Sequence, residues 1–218
     1  FPVTDNAYDA SHNGDRDCFV IKFNSSLSTL MSSTYVGSPE YEQALGIASD
    51  TQGNIYIVGD CRSGNYPTTP TAYDRTYAGP SEIFVSKFNS ELSSLLASTL
   101  MGGSGDDYAR AITVRSNGEV VIGGSSTSTD YPISENAIYK TNKGSEDGII
   151  SFLSSDLSAR YFSSFIGGAD IDAVQHVLFS GDNLYFAGNT TSTDFPTTSG
   201  AYDVTSNGLY DVFLSCIS

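Results

Sequence analysis

NAYDASHNG at residues 6–14 returns as TAYDRTYAG at 71–79, as NAIYKTNKG at 136–144 and as GAYDVTSNG at 200–208, which spaces Ala7, Ala72, Ala137 and Ala201 by 65, 65 and 64 residues. A second landmark keeps the same phase: Phe1-Pro2, Tyr66-Pro67, Tyr131-Pro132 and Phe195-Pro196. Two independent markers in one phase define an internal repeat, and a repeat governs the reading of everything around it. Between the landmarks lie matched segments: CFVIKFNSSLSTL, IFVSKFNSELSSL and IISFLSSDLSARY; then STYVG, STLMGG and SSFIGG; then GNIYIVGD, GEVVIGGS and DNLYFAGN. A fourth copy stops after DVFLSCIS.

Each unit holds four short stretches rich in β-branched and aromatic residues, separated by Gly, Asn, Asp and Ser, with no sustained 3.6-residue period. In the second unit they run Ile83 to Phe88, Leu95 to Met101, Ala109 to Val114 and Glu119 to Gly124. Gln52-Gly53-Asn54 and Asn117-Gly118-Glu119 read as hairpin tips, where glycine supplies a positive φ. The corresponding tip around Gly181-Asp182-Asn183 is shortened, which accounts for the 64-residue spacing. Four short strands in each unit of about 65 residues predict an all-β fold of four-stranded antiparallel β-propeller blades.

The chain then reads as one array over residues 1–218, with repeats at 3–67, 68–132 and 133–196 and a partial copy at 197–218. That is about 13 strands, or three blades plus one strand. A propeller closes with roughly 4–8 blades, so the expectation is a piece of a larger ring or a ring completed by other chains. By analogy with other propellers, the stretches beginning at Ala44, Ala109 and Val174 are innermost.

The strongest motifs, GGSGDDYA at 102–109, STDYP at 128–132 and STDFPTTSGAYD at 192–203, resemble the bacterial and archaeal β-propeller repeats known as the SBBP family. The resemblance covers essentially the whole chain. It implies a propeller of secreted or cell-surface proteins, frequently one part of a longer chain, with no catalytic residues defined for the repeat.

Ten Lys and Arg against 25 Asp and Glu give a net charge of −15, which repels phosphate backbones and anionic membranes and argues against nucleic acid as a partner. No run approaches the roughly 18 apolar residues of a membrane span, and FPVTDNAYDA lacks the pattern of a signal peptide. The sequence reads as soluble and as mature or excised. Only 16% of residues are charged, a balance that suits a secreted or surface protein. Cys18, Cys61 and Cys216 have no zinc-type spacing and cannot all pair within one chain; their plainer reading is as small buried residues.

The acidic loops before the innermost strands are the candidate site. They read SPEYEQ at 38–43, SGDDYA at 104–109 and ADIDAV at 169–174, bringing forward Glu40 with Glu42, Asp106 with Asp107, and Asp170 with Asp172. Oxygen ligands of this kind suit Ca²⁺, and Asp106, Asp107, Asp170 and Asp172 are the metal-ligand candidates; the alternative is that they shape tight turns. Asp130 and Asp194 of the STD(Y/F)P motif, and the Tyr-Asp pairs Tyr8-Asp9, Tyr73-Asp74 and Tyr202-Asp203, recur in phase and read as architectural. His12 and His176 are the only histidines, so acid–base and metal constellations have little to draw on.

These readings converge on a non-catalytic interaction or scaffold module without cofactor. Its expected partners are protein neighbours or further repeats, engaged through the terminal strands near Cys18 and Cys216. A carbohydrate- or calcium-binding propeller and a polysaccharide-cleaving enzyme are the alternatives, with a surface glycan as partner in the first and His176 as the residue to watch in the second.

Overall fold

A computed structural model describes residues 1–218. It contains no helix and thirteen strands: β1 (Cys18–Phe23), β2 (Leu30–Val36), β3 (Glu42–Ser49), β4 (Ile55–Cys61), β5 (Glu82–Phe88), β6 (Leu95–Met101), β7 (Asp107–Val114), β8 (Val120–Ser126), β9 (Asp147–Leu153), β10 (Arg160–Ile166), β11 (Asp172–Ser180), β12 (Asn183–Thr190) and β13 (Asp211–Ile217). They form four antiparallel sheets, β1–β2, β3–β6, β7–β10 and β11–β13, and within each sheet every strand pairs with its neighbour in sequence. The repeat boundaries at the Tyr-Pro dipeptides therefore split a sheet between its second and third strands. By the repeat, β1 and β2 correspond to the third and fourth strands of the four-stranded sheets, and β13 to the third.

Repetition extends to local geometry. The hairpin tips carry Gly53, Gly118 and Gly181 at φ of 82°, 89° and 60°, values that L side chains seldom adopt. Register shifts fall at Ala44/Gly46, Ala109/Ala111 and Val174/His176, the same step in each inner hairpin. The third-to-fourth hairpins each hold a leucine, Leu27, Leu92 or Leu157, at φ 56°. A bulky residue with that φ is a genuine outlier, costing roughly 1–3 kcal/mol. In the first two of these hairpins an asparagine side chain closes the turn: Asn24 Oδ1 accepts N–H bonds from Ser28 and Thr29, and Asn89 Oδ1 from Ser93 and Ser94. In the third, Ser154 Oγ takes this place, accepting from Ser158 and Ala159.

The core lies between successive sheets. Alternate residues of a strand face opposite ways, so Phe84 and Phe88 of β5 join Cys18, Val20 and Val36 in one cluster, while Ile83 and Val85 join Ile149, Leu153 and Phe165 in the next. A third cluster sets Val121, Ile150 and Ile166 against Phe186 and Phe213. Strands buried on both faces need apolar side chains at nearly every position, which is why alternation is imperfect in the sequence of β5. Each large buried side chain contributes about 1.5–3 kcal/mol.

The Tyr/Phe-Pro aromatics stack across the sheets: Tyr66 on Phe84 at 4.5 Å between ring centroids and Phe195 on Phe213 at 4.5 Å. After Tyr66-Pro67 and Tyr131-Pro132 the long connection runs back over the edge strand of its own sheet, β6 or β10, with Thr69 N–H donating to Ser98 O and Ser134 N–H to Ser163 O. An exposed sheet edge is a template for unwanted pairing, and this strap covers it. The first strands of these three sheets, β3, β7 and β11, lie side by side.

Candidate functional site

Seven carboxylates share one local geometry. Each strand that begins a sheet starts with an acid, Glu42, Asp107 or Asp172, and accepts the N–H four residues earlier: Ser38 at 2.9 Å, Gly103 at 2.7 Å and Gly168 at 2.7 Å. Each third strand is likewise headed by Asp17, Glu82, Asp147 or Asp211, accepting from Asn13 at 2.7 Å, Ala78, Lys143 at 2.9 Å and Asn207 at 2.8 Å. A charge-assisted bond of this kind closes a short loop over a strand end.

The fold then sets these carboxylates in pairs at the junctions between sheets. Backbone N–H groups of Glu42, Asp107 and Asp172 donate to the carbonyls of Arg16, Ser81 and Glu146, the residues just before Asp17, Glu82 and Asp147. Gly37, Gly102 and Gly167 lie against the pairs so closely that a side chain would collide: a Cβ on Gly102 would stand 2.8 Å from Asp107 Oδ2 and 3.0 Å from Glu82 Cγ, and one on Gly167 would stand 2.7 Å from Asp172 Oδ2 and 2.8 Å from Asp147 Cγ. The partner of Asp107 is thus Glu82 and that of Asp172 is Asp147.

Most of the oxygens are used. Asp107 also accepts hydroxyl bonds from Ser126 and, at 2.9 Å, Ser128; Asp172 accepts one from Ser192 at 2.8 Å. Burial pushes the carboxyls of Glu42, Glu82, Asp107 and Asp147 above their ordinary range, and neighbouring acids push the same way: Asp172 at Asp147, and Asp107 at Glu82. Asp17 Oδ1, Glu82 Oε2 and Asp172 Oδ1 are buried without a hydrogen-bond partner.

The four candidates named from the sequence separate into two kinds. Asp107 and Asp172 are buried in these pairs, whereas Asp106 is half-buried and Asp170 exposed on the loops, where their backbone N–H groups donate to Thr127 Oγ1 and Ser192 Oγ. No group of three or more His, Cys, Asp or Glu side chains is arranged around a common point. Glu82 and Asp147 escaped the sequence reading although their signal is present: DCFV, EIFV, DGII and DVFL each open with an acid in the phase of the repeat. Asp130 and Asp194 tie loops, accepting the N–H of Ser104 and of Ala169 at 2.8 Å.

A second constellation does not repeat. Arg16 and Arg62 place their guanidinium carbons 5.1 and 4.9 Å from the centre of the Tyr41 ring, and Arg16 Nη1 donates to the Tyr41 hydroxyl at 2.7 Å. Arg110 reaches Tyr108 at 5.9 Å and Glu146 at 4.0 Å. Asp60, buried beneath, has its carboxyl raised by burial and pulled back by Arg62, Arg110 and Arg16, in that order. One repeat further on, Arg16 is replaced by Ser81, Tyr41 by Asp106, Asp60 by Ser125 and Arg62 by Thr127. Three of the ten cationic side chains of an acidic chain thus draw the Asp60 carboxyl down against the effect of its burial. Guanidinium forks and phenols recognise anionic groups. No local pattern announces this cluster, because its members come from four separated segments.

His176 lies in β11 with an exposed side chain, and His12 packs against the Tyr35 ring at 5.8 Å; neither meets a nucleophile. All three cysteines are free. Cys18 and Cys61 are buried, but Cys216 is exposed, against the expectation for a small apolar residue, because no sheet follows β13. No helix is long and apolar enough to cross a membrane. No family model matches the chain, and no curated protein matches it.

Proposed function

We propose that this chain is a non-catalytic recognition and scaffold module of a secreted or cell-surface assembly, its sheets being blades of a propeller of the SBBP-repeat type. Successive four-stranded antiparallel sheets packed face to face, with β3, β7 and β11 adjacent, support the blade reading. The observation that carries the function is the Arg16–Tyr41–Arg62–Arg110 cluster. It is a convergence of unlike residues, as a dedicated site requires, yet it holds guanidinium and phenol groups and neither imidazole nor thiol. Its chemistry is capture of an anionic partner, and an acidic surface glycan fits it. Titration with polygalacturonate should give saturable binding that an Arg16→Ala, Arg62→Ala double variant loses at least tenfold. Release of reducing ends from a polysaccharide, abolished by His176→Ala, would overturn the non-catalytic reading.

Calcium binding is a second reading, favoured by the buried, unpartnered oxygens of Glu82 and Asp172. Calorimetry with Ca²⁺ should show heat that disappears in Glu82→Gln and Asp147→Asn, Asp172→Asn variants. Heat unchanged in both would place any cation elsewhere.

A further inference from the structure

We infer that Asp60 is the specificity-determining residue of the arginine cluster: it admits an anionic ligand only where hydroxyl groups stand beside the charge, as on a uronic-acid glycan, and turns away sulfate and polyphosphate. The inference rests on the anion-capture reading above and names the ligand class of that site.

The repeat fixes where Asp60 lies. Gln43, Asp60 and Ile83 stand level on β3, β4 and β5. Tyr56 and Val58, at alternate positions of β4, join Ile122 and Ile149 in the cluster between this sheet and the sheet β7–β10. Asp60 continues that row, so it looks toward β7, the strand that carries Tyr108 and Arg110. The equivalent positions of β8 and β12 hold Ser125 and Asn189. A carboxylate therefore stands at this level in one junction only, and both sheets of that junction are four-stranded.

A buried carboxylate is ordinarily paired or hydrogen-bonded, because removing an ion from water without compensation is costly. Asp60 is 4% exposed. Burial raises its carboxyl, and what draws it back is the charge of Arg62, Arg110 and Arg16 together with its own backbone N–H. The ion pairs of the chain within 4.0 Å are Lys87–Asp50, Arg110–Glu146 and Arg115–Glu119. None of the three guanidiniums therefore touches Asp60, although all three act on it.

The donors around it are unsatisfied as well. Arg110 Nε is buried without a hydrogen-bond partner, and this arginine meets Glu146 only at 4.0 Å. Arg62 lies over the Tyr41 ring at 4.9 Å, a stacking contact that leaves its fork of N–H groups free. Arg16 gives one N–H to the Tyr41 hydroxyl, which in turn donates to Gln43 Oε1 at 2.7 Å.

An unpartnered acceptor and an unpartnered donor in one junction, too far apart to bond each other, define what fits between them. Sulfate and polyphosphate offer acceptors alone; they suit the guanidiniums but set their oxygens against the Asp60 carboxylate. An ammonium would suit Asp60 and be repelled by three arginines. A hydroxyl accepts from Arg110 and donates to Asp60. A uronic-acid residue brings both parts, a carboxylate for the forks of Arg16 and Arg62 and ring hydroxyls for Arg110 and Asp60.

Calorimetric titration at fixed ionic strength with three polymers tests this: polygalacturonate, O-acetylated polygalacturonate and dextran sulfate. The wild-type chain should bind polygalacturonate at least tenfold more tightly than the acetylated form, whose carboxylates are free but whose ring hydroxyls are blocked, and at least tenfold more tightly than dextran sulfate. Asp60→Asn keeps the shape of the side chain and removes its charge. It should weaken binding of polygalacturonate and strengthen that of dextran sulfate, so that the ratio of the two affinities falls at least tenfold. Acetylation without effect on the wild-type chain overturns the proposal, as does dextran sulfate bound as tightly as polygalacturonate. An Asp60→Asn variant that binds both polymers more tightly, as loss of a repelling charge alone would give, or both more weakly, as loss of structure would give, also overturns it. Under each of those results saturable binding of polygalacturonate by the wild-type chain leaves the anion-capture reading standing, whereas no binding of any of the three overturns both. Should Asp60→Asn fail to fold by circular dichroism, the acetylated polymer decides, since it needs only the wild-type protein.

Discussion

β5 and β13 are copies of one strand in two surroundings. In β5, six of seven residues are buried; in β13 only Phe213 is. Both strands start with an acid followed by three apolar residues and a serine, and both pair with the preceding strand over seven residues. The difference comes from what packs on the second face and from the outer edge, where β5 pairs with β6 as well as β4 whereas β13 pairs with β12 alone. The same contrast appears on the inner strands: Ile47 of β3 is exposed where Ile112 of β7 is buried, because the sheet ahead of β3 consists only of β1 and β2. Strand formation is thus a property of the repeat, whereas burial is a property of position in the array.

Aromatic truncation should break this comparison most sharply. Phe84→Ala should cost about 3–5 kcal/mol in urea denaturation, as expected for a fully packed ring, while Phe19→Ala at the aligned position should cost about 1 kcal/mol or less in dilute solution. Equal losses would show that the open face is covered in the monomer.

The left-handed leucines sharpen it further, because the two substitutions should differ in sign. Leu92→Gly removes a buried side chain and should destabilise by about 2 kcal/mol or more. Leu27→Gly removes an exposed one and relieves the positive φ, so it should be neutral or stabilising by about 1 kcal/mol at dilution.

The carboxylate caps should follow the same gradient. Asp107→Ala leaves the Gly103 N–H and the Ser126 and Ser128 hydroxyls without their acceptor in a buried junction and should cost about 2–3 kcal/mol. Asp211→Ala at the open end frees only the exposed Asn207 N–H and should stay within about 1 kcal/mol.

A smaller effect should appear on titration. Glu42, Glu82, Asp107 and Asp147 have folded-state carboxyls raised by burial, so the folded state holds their protons longer. Their contribution is fully present below the unfolded carboxylate range and is lost as pH rises through the raised values. Asp130 and Asp156 are lowered by hydrogen bonds from Ser104 and Ser154; they act oppositely, losing their contribution as pH falls through the lowered values. Both sets favour a maximum near the ordinary carboxylate range, about pH 4. The melting temperature should therefore be higher at pH 5 than at pH 8, and the difference should shrink in a Glu42→Gln, Glu82→Gln variant. A higher value at pH 8 would contradict the assignment of these carboxyls as buried.

The all-β character, the thirteen strands, the glycine tips and the out-of-phase start and finish were legible in the sequence, because each follows from local pattern repeated every 65 residues or so. Strand limits moved by two residues at most in the second unit: Asp107 and Tyr108 read as loop but lead β7, and Glu119 precedes β8. The acids at the candidate loops were legible too, but not their partners. Asp106 and Asp107 are neighbours in sequence, and a strand sends neighbours to opposite sides; Asp107 instead meets Glu82, 25 residues away, because β7 begins beside the start of β5. The Arg16, Tyr41, Arg62 and Arg110 cluster was beyond local reading for the same reason, since its members share no period and meet only where three sheets converge. Repetition by itself determines which residues form strands and turns. Which side chains then meet, and which apolar faces lack a partner, depends on contacts between repeats, which exist only once the sheets are stacked.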